Sequence, residues 1–164
     1  MTIRQLLFIH GAGGYDDDKP IANRLRTELA AELRYPHLPE DDMSVEAWAG
    51  PIRAALHELN ADGIVVGHSF GASILLSVLV AEPTNTSSAT LLAMPNWEPH
   101  GWDVEDYAFT GPETKTRLTL HHCHDDEVVP FEHLALNARR LPSAAVVDHR
   151  FGGHQFDGVT IDLG

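Results

Sequence analysis

The stretch Gly63-Ile64-Val65-Val66-Gly67-His68-Ser69-Phe70-Gly71 places a β-branched run directly before the pattern G-x-S-x-G. An apolar helical pattern follows at once, which predicts a buried strand, a sharp turn and a helix. Gly67 and Gly71 leave room for that turn, because a Cβ at either position would crowd the strand-to-helix crossing. Ser69 would then lie at the tip of the turn with its hydroxyl exposed, as a nucleophile. The alternative is an ordinary Gly-Ser turn without a catalytic role.

Composition restricts the class of protein. The chain has 164 residues, enough for one domain with a sizeable core, and 43% of them are hydrophobic, as in globular proteins. With 11 basic and 24 acidic residues the net charge is −13, which argues against nucleic acid or an anionic membrane as partner. The single cysteine, Cys123, excludes an internal disulfide. The apolar run Leu6–Ile9 is too short for a signal peptide, so we expect a soluble, cytoplasmic protein.

Short apolar segments alternate with helical patterns along the chain. This alternation predicts an α/β fold, a three-layer α/β/α sandwich whose mainly parallel sheet has about five or six strands. An acidic triplet, Asp16–Asp18, precedes the first helical pattern and favours a solvated helix start. The segment Tyr35–Asp42 holds two prolines and leaves room for only a short strand. That first helix is predicted from an apolar stripe: Ile21, Leu25, Leu29 and Leu33.

Residues 97–116 show no convincing period. We predict a single domain over residues 1–164, with a small lid-like insertion at about 97–116 beside the site. The alternative is a loop whose aromatic side chains anchor it to the core. Those side chains are Trp97, Trp102, Tyr107 and Phe109.

Loops that follow predicted strands contain the residue types that acyl transfer needs. Because the carboxyl ends of parallel strands meet at one edge of a sheet, these loops should lie together. A serine needs a base within hydrogen-bond reach, and His154, between flexible glycine-flanked segments, is the best candidate. The base needs a carboxylate to orient it, and both Asp125 and Asp126 fit.

Backbone N–H groups should stabilise the oxyanion. We expect them from Phe70, directly after the nucleophile, and from Ala12 in the glycine-rich loop His10–Gly14. His68 should pack beside the turn without taking part in the chemistry. The substrate pocket is expected to include His10, Gly11, Trp97 and Trp102.

Together these motifs resemble the α/β-hydrolase superfamily, in which the chain order is serine, carboxylate, histidine. The compact size resembles the small branch that includes the retinoblastoma-binding protein 9 family of serine hydrolases. The resemblance implies Ser69 as nucleophile, Asp126 rather than Asp125 as acid, and His154 as base. It is carried by His10-Gly11, Gly67–Gly71, Asp126–Pro130 and Gly153-His154.

A metal site is the competing interpretation for one segment. Histidine and aspartate are common metal ligands, but adjacent strand residues such as His121 and His122 point to opposite faces of a sheet. We therefore expect no metal there. The segment contains His121, His122, His124, Asp125 and Asp126.

The predicted activity is hydrolysis of small carboxylic esters through an acyl-enzyme on Ser69, without a cofactor and on a small-molecule, ester-like substrate. Thioesterase, amidase and lactonase activities use the same groups and remain open. A different class, a protein-binding module that keeps the hydrolase fold, is the alternative to an enzyme.

Overall fold

In the computed structural model, residues 2–164 form a six-stranded sheet flanked by four α-helices. A short 3₁₀ helix covers Glu105–Tyr107. The strands are β1 (Gln5–Ile9), β2 (Glu32–Arg34), β3 (Ile64–His68), β4 (Ser88–Leu92), β5 (Arg117–Cys123) and β6 (Ala145–His149), and the helices are α1 (Lys19–Leu29), α2 (Val45–Glu58), α3 (Phe70–Ala81) and α4 (Glu132–Arg140).

The sheet is parallel throughout and has the order β2-β1-β3-β4-β5-β6. From β1 the chain passes to β2 on one side and then returns to β3 on the other, so the strand order reverses between β1 and β3. Ligands of such sheets bind outside the carboxyl ends of the strands at this reversal. The predicted α/β fold is confirmed, and no helix within 2–164 is long and apolar enough to cross a membrane.

Side chains alternate between the two faces of the sheet, as β1 illustrates. Leu7 and Ile9 join the larger core cluster with α2, α3 and α4, whereas Leu6 and Phe8 face α1. The second face is also covered by the last residues of the chain, through Phe156 and other apolar groups. Both faces of the central strands β1 and β3 are therefore buried, which explains why their sequences are continuous apolar runs.

The first crossover differs from the prediction. Helix α1 ends at Leu29, because Ala30 adopts a left-handed conformation with φ 50°. Leu33, predicted on the apolar stripe of this helix, belongs instead to β2, which lies before the segment 35–42 where a short strand was expected. This short edge strand has exposed charged side chains on both sides of the half-buried Leu33, so its sequence has no apolar run that would reveal it.

Residues 97–116 run along one side of the candidate site described below. The indole N–H of Trp97 donates to Ser73 Oγ at 2.8 Å, and the Tyr107 hydroxyl donates to the carbonyl oxygen of Met43 at 2.8 Å. Both rings pack on the larger core cluster, whereas Trp102 is 39% exposed. The aromatic side chains thus tie the segment to α3 and to the residues just before α2.

Candidate active site

Ser69 occupies a strained turn between β3 and α3. Its backbone angles are φ 55° and ψ −126°, outside the regions that L-residues with a Cβ favour. Its amide donates to the carbonyl oxygen of Leu92 at 2.8 Å, which ties the turn to β4. The serine is partly exposed while its neighbours His68 and Phe70 are buried. The turn therefore exposes Ser69 although the residues on both sides of it are buried.

Two glycines make this turn possible, as the sequence predicted. A Cβ on Gly71 would overlap the carbonyl oxygen of His10, and a Cβ on Gly67 would lie 2.8 Å from the Cα of Ala72. Both neighbours are backbone atoms that cannot move aside without disturbing β1 or α3. The strand and the helix can therefore approach this closely only with glycine at both positions.

Ser69 borders a cavity of about 640 Å³ at the carboxyl edge of the sheet. His154, Ala12, Gly11, Trp97 and Trp102, all predicted for the site, line the same cavity. The remaining walls combine apolar groups with polar and charged ones: Met43, Phe70, Pro95, Tyr107 and Val128 with Gly14, Asp17, Asp18, His68, Glu127 and Gln155.

His10 does not line this cavity, contrary to expectation. Its side chain is completely buried, its Nδ1 donates to the carbonyl oxygen of Gly11 at 2.7 Å, and its Nε2 accepts the amide of Leu38 at 3.0 Å. The imidazole is thus a core group that supports the first loop from below.

The structure brings His154 and Asp126 together. Nδ1 of His154 lies 3.0 and 3.1 Å from the two carboxylate oxygens of Asp126, whose side chain is fully buried. Oδ1 of Asp126 also accepts the amides of Val128 and Val129 at 2.9 and 2.8 Å. These contacts fix the carboxylate in one orientation, and with Nδ1 of His154 as donor its Nε2 is left as an acceptor.

The carboxylate remains ionised in this setting. Burial by itself raises the pKa of Asp126, but hydrogen bonds from His122 and His154 and the backbone amide of Val129 hold the pKa well below its usual range. Nε2 of His122 lies 3.2 Å from Oδ2 of Asp126 and 2.9 Å from the carbonyl oxygen of Val129. This nitrogen is therefore a donor that supports Asp126, a role that the sequence did not predict, since it offered His122 only as a possible metal ligand.

Asp125, the other carboxylate that the sequence offered as partner of the base, does not contact the His154 ring. Its oxygens accept the amides of Gly152 and Gly153 at 3.4 and 2.9 Å, so it binds the backbone of the histidine loop rather than the imidazole. Glu127 Oε2 accepts the amide of His154 at 3.1 Å. Three successive acidic residues thus hold the loop and ring of His154.

Phe70 and Ala12, whose backbone amides were predicted to donate to an oxyanion, line the cavity together with Ser69. Phe70 is the first residue of α3, and the N–H groups of the first helical turn have no partner within the helix. Ala12 is exposed on the cavity in the first loop. Its neighbour Gly11 is fixed, because the Gly11 amide donates to Asp18 Oδ2 at 2.8 Å.

Asp18 was predicted to be solvated, and this prediction is wrong. Its carboxylate is 2% exposed and lies 2.8 Å from Nδ1 of His68. Burial raises the pKa of Asp18, but hydrogen bonds from His68, Gly11 and Gln155 outweigh it and lower the pKa below the usual value. No periodicity marks Asp18 as different from the exposed Asp16 and Asp17, so the sequence offered no signal for this contact.

The histidine-rich segment after β5 does not converge on one point. Nδ1 of His121 lies 2.9 Å from Nε2 of His149 on one side of the sheet, whereas His122 faces Asp126. Within the described part of the chain, no three His, Cys, Asp or Glu side chains are arranged to hold a metal ion.

A parallel sheet of this order with a strained serine at the end of β3 defines an α/β-hydrolase fold. Residues 6–156 match the family described as serine hydrolase, and the chain belongs to that family. A comparison with curated proteins finds no significant match. The narrower resemblance to the retinoblastoma-binding protein 9 branch stays a prediction.

Solved structures share the fold at low sequence identity. The ydeN gene product of B. subtilis has 18% identity and a TM-score of 0.73, with 93% of this chain and 88% of that chain covered. Est1E from Butyrivibrio proteoclasticus has 14% identity and a TM-score of 0.73, with 95% and 82% covered. Mouse α/β hydrolase domain-containing protein 10 has 16% identity and a TM-score of 0.70, with 94% and 84% covered.

Proposed function

We propose that this serine hydrolase cleaves small carboxylic esters through an acyl-enzyme on Ser69, with His154 as base and Asp126 as its acid. One observation carries the proposal: Ser69 and His154 border the same cavity, and Nδ1 of His154 is held by a buried, ionised carboxylate. A hydroxyl, an imidazole with a free Nε2 and an orienting carboxylate are the parts that nucleophilic acyl transfer requires.

In the proposed reaction Ser69 Oγ attacks the ester carbonyl carbon while Nε2 of His154 takes the hydroxyl proton. Asp126 stabilises the resulting imidazolium, and the amides of Phe70 and Ala12 donate to the oxyanion of the tetrahedral intermediate. Collapse expels the alcohol, which receives the proton from His154. Water then enters, gives a proton to His154 and attacks the acyl carbon. The acyl–Oγ bond breaks, Oγ of Ser69 receives the proton from His154, and the acid leaves.

The walls of the cavity favour a neutral substrate with an apolar acyl group. Trp97, Trp102 and Tyr107 form an aromatic side, and the walls within residues 2–164 include no lysine or arginine. Thioesters and amides would fit the same groups. A cytoplasmic location, a small-molecule substrate, and the lack of nucleic-acid or membrane partners are further proposals from composition.

Hydrolysis of p-nitrophenyl esters from acetate to octanoate tests this function. We expect turnover in the wild type and a loss of about 10⁴-fold or more in Ser69→Ala, because the variant keeps the cavity but lacks the nucleophile. Turnover retained in the folded variant would refute the role of Ser69.

A fluorophosphonate probe separates the alternatives. Labelling of Ser69 without ester turnover would mean that the triad is active on another acyl substrate, to be sought among matched thioesters and amides. A wild type that neither hydrolyses these substrates nor reacts with the probe would instead favour a protein-binding module with a hydrolase fold.

A further inference from the structure

A second histidine–carboxylate pair lies below the proposed triad. Nδ1 of His68 is 2.8 Å from Asp18 Oδ2, and the two side chains are 1% and 2% exposed. Nε2 of His68 is 2.7 Å from the carbonyl oxygen of His154. The rings of His68 and His154 are themselves adjacent, with centroids 4.6 Å apart.

The contacts define the protonation of this pair. A carbonyl oxygen only accepts hydrogen bonds, so Nε2 of His68 donates. Each oxygen of Asp18 accepts a further N–H, from the Gly11 amide at 2.8 Å and the Gln155 side chain at 3.1 Å, so the carboxylate is ionised and Nδ1 of His68 also donates. With both ring nitrogens as donors, His68 is an imidazolium.

This ion pair joins the loops of the active site. Asp18 precedes α1, and its partner Gly11 adjoins Ala12, the proposed oxyanion donor. His68 directly precedes Ser69 and holds the carbonyl group of His154. The backbone of His154 is therefore held on both sides, with its amide on Glu127 and its carbonyl on His68. A neutral His68 could donate only one of its two hydrogen bonds.

We propose that Asp18 and His68 are positioning residues, a buried carboxylate–imidazolium pair that holds the first loop and the His154 loop in register around Ser69. The inference rests on the proposed function, in which these loops supply the oxyanion donor and the base. Neither residue touches the reacting atoms in this scheme. Their effect comes through Gly11 and through the main chain of His154.

The charged groups around His68 favour its protonated state. Burial lowers the pKa of His68, but the hydrogen bond and charge of Asp18 outweigh burial and raise it above the usual value. The carbonyl of His154 and the charge of Asp126, in the loop after β5, act in the same direction. The titratable groups near the ring are thus Asp18, Asp126 and His154, while Phe8 and Phe156 form apolar contacts.

NMR of wild-type protein with ¹⁵N-labelled histidine tests the pair without a substrate. We expect both ring nitrogens of His68, assigned with His68→Gln, to be protonated at pH 7 and to lose a proton only in alkaline solution. The rate at which a fluorophosphonate modifies Ser69 should fall over the same pH range. A neutral His68 at pH 7, or a rate that does not change as His68 loses its proton, would overturn the proposal.

Asp18→Asn tests the positioning role directly. Asparagine keeps the size of the side chain but removes the charge, so we expect kcat and the Ser69 modification rate to fall about tenfold to a hundredfold with little change in KM. The alkaline limb of the kcat profile should move to lower pH. The control is Asp148→Asn, which breaks an exposed 2.6 Å pair with His124 away from the cavity and should leave both rates unchanged.

The outcomes separate the two proposals. A folded Asp18→Asn variant with wild-type rates would overturn the positioning role. If wild-type Ser69 is inert, the proposed function fails instead. The NMR signals of the His154 ring then test whether Asp18 and His68 position the His154 loop. Asp18→Asn should displace them, and unchanged signals would refute the role of the pair.

Discussion

Asp126→Asn is the substitution whose effect the geometry defines best. Oδ1 of Asp126 accepts two backbone amides, so the carbonyl oxygen of asparagine would take that position. Its NH₂ group would then face Nδ1 of His154 and Nε2 of His122, both of which are donors in the wild type. The remaining acceptor for His154 is then Oδ1 at 3.1 Å, which already takes two backbone amides. The favoured arrangement therefore has Nδ1 accepting from the NH₂ group and the proton on Nε2, which leaves no lone pair there to accept the proton of Ser69.

The expected loss of activity is that of a histidine base held in the wrong tautomer. In a serine–histidine–aspartate triad this lowers kcat about 10⁴-fold, which corresponds to a rise of about 5 kcal/mol in the activation barrier. The fall should appear in kcat rather than KM, because the cavity walls are unchanged. Circular dichroism and urea unfolding would show that the variant is folded.

The assay is turnover of p-nitrophenyl acetate at pH 7 by wild type, Asp126→Asn and Asp125→Asn. Asp125 holds only the backbone of the histidine loop, so its variant should lose less than about tenfold of kcat, since the tautomer of the base is preserved. An Asp126→Asn variant within tenfold of the wild type, or a larger loss in Asp125→Asn, would refute the assignment of the acid.

Two further predictions concern stability. The pKa of His121 is lowered to about 4, first by burial and then by the charge of His149, so the unfolded chain binds this proton more readily. The free energy of unfolding should therefore fall by about 3 kcal/mol as the pH drops from 6.5 to 4. Urea unfolding at both pH values measures this fall, and the His121→Phe variant should lack it. Gly71→Ala should cost about 3 kcal/mol or more because its Cβ would overlap the carbonyl of His10. Gly50→Ala on α2 is the matched control and should change stability by less than about 1 kcal/mol, because the gain in helix propensity is opposed by Pro51, which follows it.

Local sequence patterns predicted much of the fold because its central strands are buried on both faces. The run before Ser69, with glycines at both close contacts, predicted β3, the turn and α3. By contrast, β2 depends on pairing with β1 at a partly exposed edge, and α1 ends at an alanine in a left-handed conformation. Neither feature is encoded by an apolar period or by a glycine, so neither could be predicted locally.

The same distinction applies to the site. Ser69 and His154 lie in glycine-flanked loops whose sequences are unusual in themselves. Asp18 differs from its acidic neighbours only in where the fold directs its side chain, toward a histidine that is distant in sequence. The burial of His10 likewise depends on the segment that passes over it, including the amide of Leu38. Such contacts between distant residues require the three-dimensional structure.

The single thiol makes the protein convenient for site-specific attachment. Cys123 is completely buried, and burial together with nearby acidic groups raises its pKa to about 12, so it should not react with maleimides or iodoacetamides at neutral pH. An exposed cysteine introduced by Asn85→Cys, between α3 and β4 at the amino edge of the sheet, would then be the reactive thiol. Since the cavity opens at the carboxyl edge, a dye, a surface or a tether joined there would leave the entrance to Ser69 free.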